Sequence, residues 1–125
     1  MKLKLEIPII VERVKICGPV AIREVNLLLD TGAKFTTLNW DILKDIGYDP
    51  ATVSERVNIV TANGIIEAPF LKVESISIGE LSLKNVEVIC HTIPELVEVD
   101  GLLGLSFLSH FKTIIDYREK VLEIG

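Results

Sequence analysis

Apolar and polar residues alternate at period two along most of the chain, as in Lys2-Leu3-Lys4-Leu5-Glu6-Ile7 and again in Leu71-Lys72-Val73-Glu74-Ser75-Ile76-Ser77-Ile78. Successive side chains of a strand point to opposite faces, so the pattern describes strands with one face buried and predicts a mainly β protein. Strands are expected over 2–10, 11–16, 20–29, 55–61, 65–78, 81–91, 112–117 and 120–124, with turns at Gly18-Pro19, Asn63-Gly64, Gly79-Glu80 and Tyr117 to Glu119. Asn63-Gly64 lies between two alternating runs and predicts a tight hairpin, since both residue types tolerate positive φ. Two segments predict helix. One follows Asn39 as an N-cap, carries Asp41 in its first turn, sets Leu43 and Ile46 on one side and stops at Gly47; the other is shorter, near Leu105 to His110.

A second regularity is an internal echo. Leu27-Leu28-Leu29-Asp30-Thr31-Gly32 leads from an apolar strand through a glycine toward a helix, and Gly101-Leu102-Leu103-Gly104 does the same later. Two such half-units in one small β domain fit a duplicated template.

Composition narrows the picture. A chain of 125 residues, 49% of them hydrophobic, supports one core and is expected to form one domain over 1–125. Its 18 acidic and 13 basic side chains give a net charge of -5 with no Lys/Arg run, which argues against nucleic acid as a partner. The apolar stretch Ile7 to Val11 is too short for a signal sequence and is closed by Glu12 and Arg13, and no apolar run is long enough to span a bilayer. A soluble, cytoplasmic chain with no membrane partner is the expectation. Cys17 and Cys90 then read as packed thiols rather than a disulfide.

The chemistry concentrates at Asp30. Three leucines precede it, so a carboxylate stands at the end of an apolar strand, where its charge needs hydrogen bonds or a partner. Gly32 frees the backbone to turn and bring its N–H to that carboxylate, and Thr31 adds a hydroxyl that both donates and accepts. An Asp-Thr/Ser-Gly tripeptide arises by chance in on the order of 5% of chains this long, so only its surroundings distinguish it from a plain Asx turn.

Those surroundings resemble a known family. Leu28-Leu29-Asp30-Thr31-Gly32-Ala33, with Thr36 shortly after, is similar to the active-site segment of retropepsin-like aspartic proteases. Asp100-Gly101-Leu102-Leu103-Gly104-Leu105, then Phe107-Leu108, Ile114-Ile115-Asp116 and Val121 to Gly125, resemble that family's second half. The match is nearest to the retroviral protease-like domain of the eukaryotic DNA-damage-inducible ubiquitin-shuttle proteins and their prokaryotic relatives. Thr61-Ala62-Asn63-Gly64 looks like the tip of the flap that covers substrate. The resemblance implies a closed acid-protease barrel with one or two short helices and an aspartic endopeptidase that works as a symmetric homodimer on peptides or proteins. It implies no metal and no other cofactor. Asp30, Thr31 and Gly32 would form the catalytic loop, Ala33 and residues 61–64 would contact substrate, and Leu103-Gly104 would pack beneath the loop. Lys34 and Ser106 depart from the family, which often carries an acid at both places.

Other reactive residues have plainer readings. Cys90 and His91 are strand neighbours pointing to opposite faces, which does not make a nucleophile pair. His91 and His110 are too few for a zinc site and read as surface or cap residues, Asp116 as a turn residue and Trp40 as packing. The alternative of a different class is a catalytically silent retropepsin-like module that binds peptides or dimerises as a scaffold.

Overall fold

The computed structural model describes residues 1–93 and 98–125. Among them the chain forms β1 (Lys2–Lys4), β2 (Ile10–Cys17), β3 (Ile22–Leu29), β4 (Thr36–Leu38), α1 (Trp40–Asp45), β5 (Arg56–Thr61), β6 (Gly64–Ile78), β7 (Leu81–Cys90), β8 (Gly101–Leu103), α2 (Leu105–Leu108), β9 (Thr113–Asp116) and β10 (Val121–Ile124). The mainly β expectation holds, and so does the closed barrel. Strands β2-β3-β8-β4-β7-β6 are hydrogen-bonded in that order, and β6 returns to β2 through Lys15↔Ser77, Ile16↔Ile76 and Cys17↔Ser75. Closure removes the free sheet edges that an open set of strands would expose.

Alternation explains which residues fill the barrel. Val14, Ile16, Val25, Leu27, Val73, Ile76, Val86 and Val88 point inward and are buried, while Lys15, Glu24, Asn26 and Glu87 between them face outward. Beneath the barrel, Phe107 of α2 and Ile42, Leu43 and Ile46 of the α1 region close the same core. Along one edge the long strand β6 changes partner, residues 64–69 pairing with β5 and residues 70–78 with β7, while residues 75–77 also pair with β2 on the other edge. Pro69, which has no N–H to give, falls at the hand-over.

The ends of the chain form a separate three-stranded sheet in the order β1-β10-β9. The Met1 ammonium donates to the Ile124 carbonyl at 2.8 Å, and the Ile124 N–H donates back to Met1 at 2.9 Å. The strand expected over 2–10 therefore ends at Lys4: Leu5 turns inward, its N–H bonded to Lys120, and the chain bends at Ile7-Pro8 before β2 begins.

Other departures are local. The strands β4 and β8 were not expected; each is three residues long and too short to show a period. Asn39 starts α1 as expected, but its side chain makes no capping bond and instead accepts the Ile93 N–H at 2.8 Å. At the hairpin near 61–64, positive φ falls on Gly64 (119°) and not on Asn63, so the tip residues are Ala62-Asn63. Both cysteines are unpaired, Cys90 buried and Cys17 half-buried. Asp116 caps the turn after β9 by accepting the Glu119 N–H.

Candidate functional site

The echo seen in the sequence is a physical pairing. Leu27, Leu28 and Leu29 of β3 run parallel to Gly101, Leu102 and Leu103 of β8, residue for residue. Both strands thus end at the same level, and the turns that follow them lock together. The Asp30 N–H donates to the Leu103 carbonyl at 3.0 Å, and the Leu105 N–H donates to the Ala33 carbonyl at 2.8 Å. Gly104 fills the space between, where only a hydrogen fits: a Cβ there would lie 2.5 Å from the Phe35 carbonyl oxygen.

Within the loop, Gly32 donates its N–H to Asp30 Oδ1 at 2.9 Å, at a φ outside the left-handed region, so the expected turn forms without the freedom that only glycine has. One carboxylate oxygen is thereby fixed. Behind the loop lies a polar knot. The Thr36 hydroxyl, fully buried, accepts from the Gly104 N–H (3.1 Å) and from Ser106 Oγ (3.1 Å), while Ser106 Oγ accepts the Thr36 N–H at 2.8 Å. Ser106, unexplained by the sequence, is thus the residue that ties α2 to β4. Replacing Thr36 by Val keeps the shape but strands a buried N–H and a hydroxyl. A loss of about 2–3 kcal/mol in urea unfolding is expected, largely recovered in Thr36→Ser; an unchanged midpoint for Thr36→Val would remove the knot from the account.

Asp30 lies at one side of a cavity of about 420 Å³ under the β5–β6 hairpin. Gly32 and Ala33 line it beside the carboxylate, Asn58, Val60 and Thr61 come from the hairpin, and Phe35, Ile59, Ile66, Ile89 and Leu102 supply apolar wall. Asp30 is its sole acidic residue among those described. Of the residues singled out in the sequence, Asp30, Gly32, Ala33 and Thr61 meet here, with Leu103 and Gly104 behind the loop. Thr31 is beside them but exposed, and Ala62, Asn63 and Gly64 lie outside the cavity at the hairpin tip. There Thr61 Oγ1 accepts the Asn63 N–H and donates to the Gly64 carbonyl, stiffening the tip. Val60 and Ile65, directly opposite in register, are 81% and 70% exposed, an uncovered apolar pair at the end of the hairpin.

His91, read from the sequence as a surface residue, also lines the cavity. It does not activate Cys90: that thiol is buried on the opposite face, and burial, reinforced by Asp41, pushes its pKa up and keeps it protonated. The wall residues 58–60 and 66 carried no sequence signal beyond strand alternation, because their role depends on how the hairpin hangs over the loop.

Comparison with known proteins follows the same lines. The family model described as aspartyl protease matches residues 12–107. A protein from a Sinorhizobium species, described as an uncharacterized protein in the cobV 5' region, is 35% identical over 88 residues, 70% of this chain; the match spans only 36% of that relative's length. The crystal structure of a retropepsin-like aspartic protease from Rickettsia conorii superposes with a TM-score of 0.72 over 100% of this chain and 97% of that one, at 23% identity, a likeness of fold.

Proposed function

Since this chain belongs to the aspartyl protease family, with a retropepsin-like barrel, we propose that it is an aspartic endopeptidase in which two copies of the chain build one active site. The observation that carries this reading is that Asp30, held by β8 and Gly32 beside an exposed Thr31-Gly32, is the single acid of its cavity among the described residues. Peptide hydrolysis by carboxyl groups alone needs both a base and an acid at the scissile bond, and one protomer brings one such group.

A two-fold axis passing beside this loop sets two Asp30 side chains in contact. Two adjacent carboxyl groups do not both ionise at ordinary pH, so the pair holds one proton and titrates as a unit. The ionised member takes a proton from a water molecule as its oxygen attacks the carbonyl carbon. The neutral member gives its proton to the carbonyl oxygen, producing a gem-diol. The carboxyl group that took the water proton gives it to the amide nitrogen while the other carboxylate takes a proton from a gem-diol hydroxyl, so that the C–N bond breaks and frees the two peptide ends. Thr31, exposed in the single chain, would hydrogen-bond across the axis. Residues 61–64 would close over the substrate backbone, and Leu103-Gly104 would hold the loop from behind.

Peptide cleavage from pH 3 to 8 tests the activity, and dilution tests the assembly. Specific activity is expected to fall as protein is diluted through the dimer dissociation constant, with the loss of dimer followed by sedimentation. Full specific activity in a solution that sediments as monomer would sink the shared site.

A further inference from the structure

Two lysines far apart in sequence stand along the cleft of an acidic protein. Lys34, next to Ala33, lines both the Asp30 cavity and a second one of about 300 Å³, and the two cavities share Phe35 as well. The second cavity adds Lys84. Among the described residues, two acids line the same cavities. Asp30 belongs to the catalytic loop, and Glu87 lines the far part of the second cavity, opposite Lys72 in the β6–β7 register but in no ion pair with it among the described residues. The chain as a whole carries a net charge of -5.

Among the described residues, neither Lys34 nor Lys84 is in an ion pair. Lys34 instead rests with Nζ 5.3 Å from the centre of the Phe35 ring, a cation–π contact that keeps it at the junction of the two cavities. Its ammonium is therefore positioned and solvent-accessible, with no ion-pair partner among the described residues.

Building on the reading of Asp30 as a peptidase centre, we propose that the cleft selects peptide segments with a Glu or Asp on one flank of the cleaved bond. The apolar wall of the Asp30 cavity takes the side chain next to that bond, and Lys34 takes the flanking carboxylate. Lys84 extends the preference to a further acidic residue in the second cavity. Lys34 is thus a specificity-determining residue that acts on substrate and leaves the proton transfers to the dyad.

The test uses an apolar-centred peptide in which one position at a time, on either side, is Gln, Glu or Lys. Binding is read by fluorescence anisotropy on the Asp30→Asn protein, and cleavage is followed with the unaltered protein. At one flank, Glu is expected to bind about fivefold more tightly than Gln, and Lys more weakly, with the difference shrinking as salt is raised. Lys34→Arg should keep this order and Lys34→Glu reverse it, each variant first matched to the parent by circular dichroism. Equal binding of Gln and Glu at every position, a preference unchanged in Lys34→Glu, or no binding of any peptide would overturn the proposal. Charge-selective binding with no cleavage would instead count against the peptidase reading alone.

Discussion

Asp30→Asn is expected to lower kcat/KM for peptide cleavage by about 10³-fold or more while leaving fold and dimer intact, the largest functional effect of any single change in this chain. Asparagine has the shape of aspartate, and its Oδ1 can still accept the Gly32 N–H that fixes the loop. What it lacks is a titratable oxygen. A pair of asparagines has no proton to share, no base for the water and no acid for the carbonyl oxygen. Unfolding and sedimentation profiles should overlay those of the parent, which separates lost chemistry from lost structure. Substantial cleavage by a well-folded Asp30→Asn protein would place the catalytic group elsewhere.

The second large effect is expected at a residue with no reactive group. Gly104→Ala should cost about 3 kcal/mol and lower Tm by on the order of 10 °C. The backbone at Gly104 (φ -106°, ψ -169°) suits any residue, so conformation is not the obstacle. The obstacle is what a methyl group would meet: the Phe35 carbonyl oxygen at 2.5 Å and the Ala33 carbonyl oxygen at 2.8 Å. These are backbone atoms of the Asp30 loop, unable to swing aside as a side chain would. Relief requires the loop and the β8–α2 junction to separate, which weakens the Leu105–Ala33 and Gly104–Thr36 hydrogen bonds. Displacing a catalytic loop by about 1 Å costs about 10²-fold in rate, so activity should fall further than stability alone explains. Thermal unfolding together with kcat on a saturating peptide checks both parts. A Gly104→Ala protein as stable and active as the parent would mean that the two halves are not locked through this contact.

Much of this architecture was legible in the residues, and the gaps have physical causes. Strand β3 alternates over six residues with one face toward the barrel and β5 over six with one face toward the cavity, while β2, β6 and β7 alternate in shorter runs, each long enough for period two to show. Strand β4 is buried along its whole length, Thr36 included, and β8 has neighbours on both edges; neither has a wet face to mark its phase. The Asp30 loop and its echo at Gly101 to Gly104 could be seen because the pairing that joins them also constrains their sequences alike. The Thr36–Ser106 bond, spanning 70 residues, could not, since a serine advertises no partner. His91 and Lys34 became cleft residues only once the hairpin was in place above them.

The claim on which everything rests is that two Asp30 carboxyl groups, one from each chain, make one active site. Mixing tests it most directly: the parent and Asp30→Asn proteins are combined at fixed total concentration, allowed to exchange subunits, and assayed on one peptide. If the site is shared, a mixed dimer has one carboxyl group and is inactive, so activity falls as the square of the parent fraction. A fall in simple proportion to that fraction would show that each chain cleaves by itself and would contradict the account.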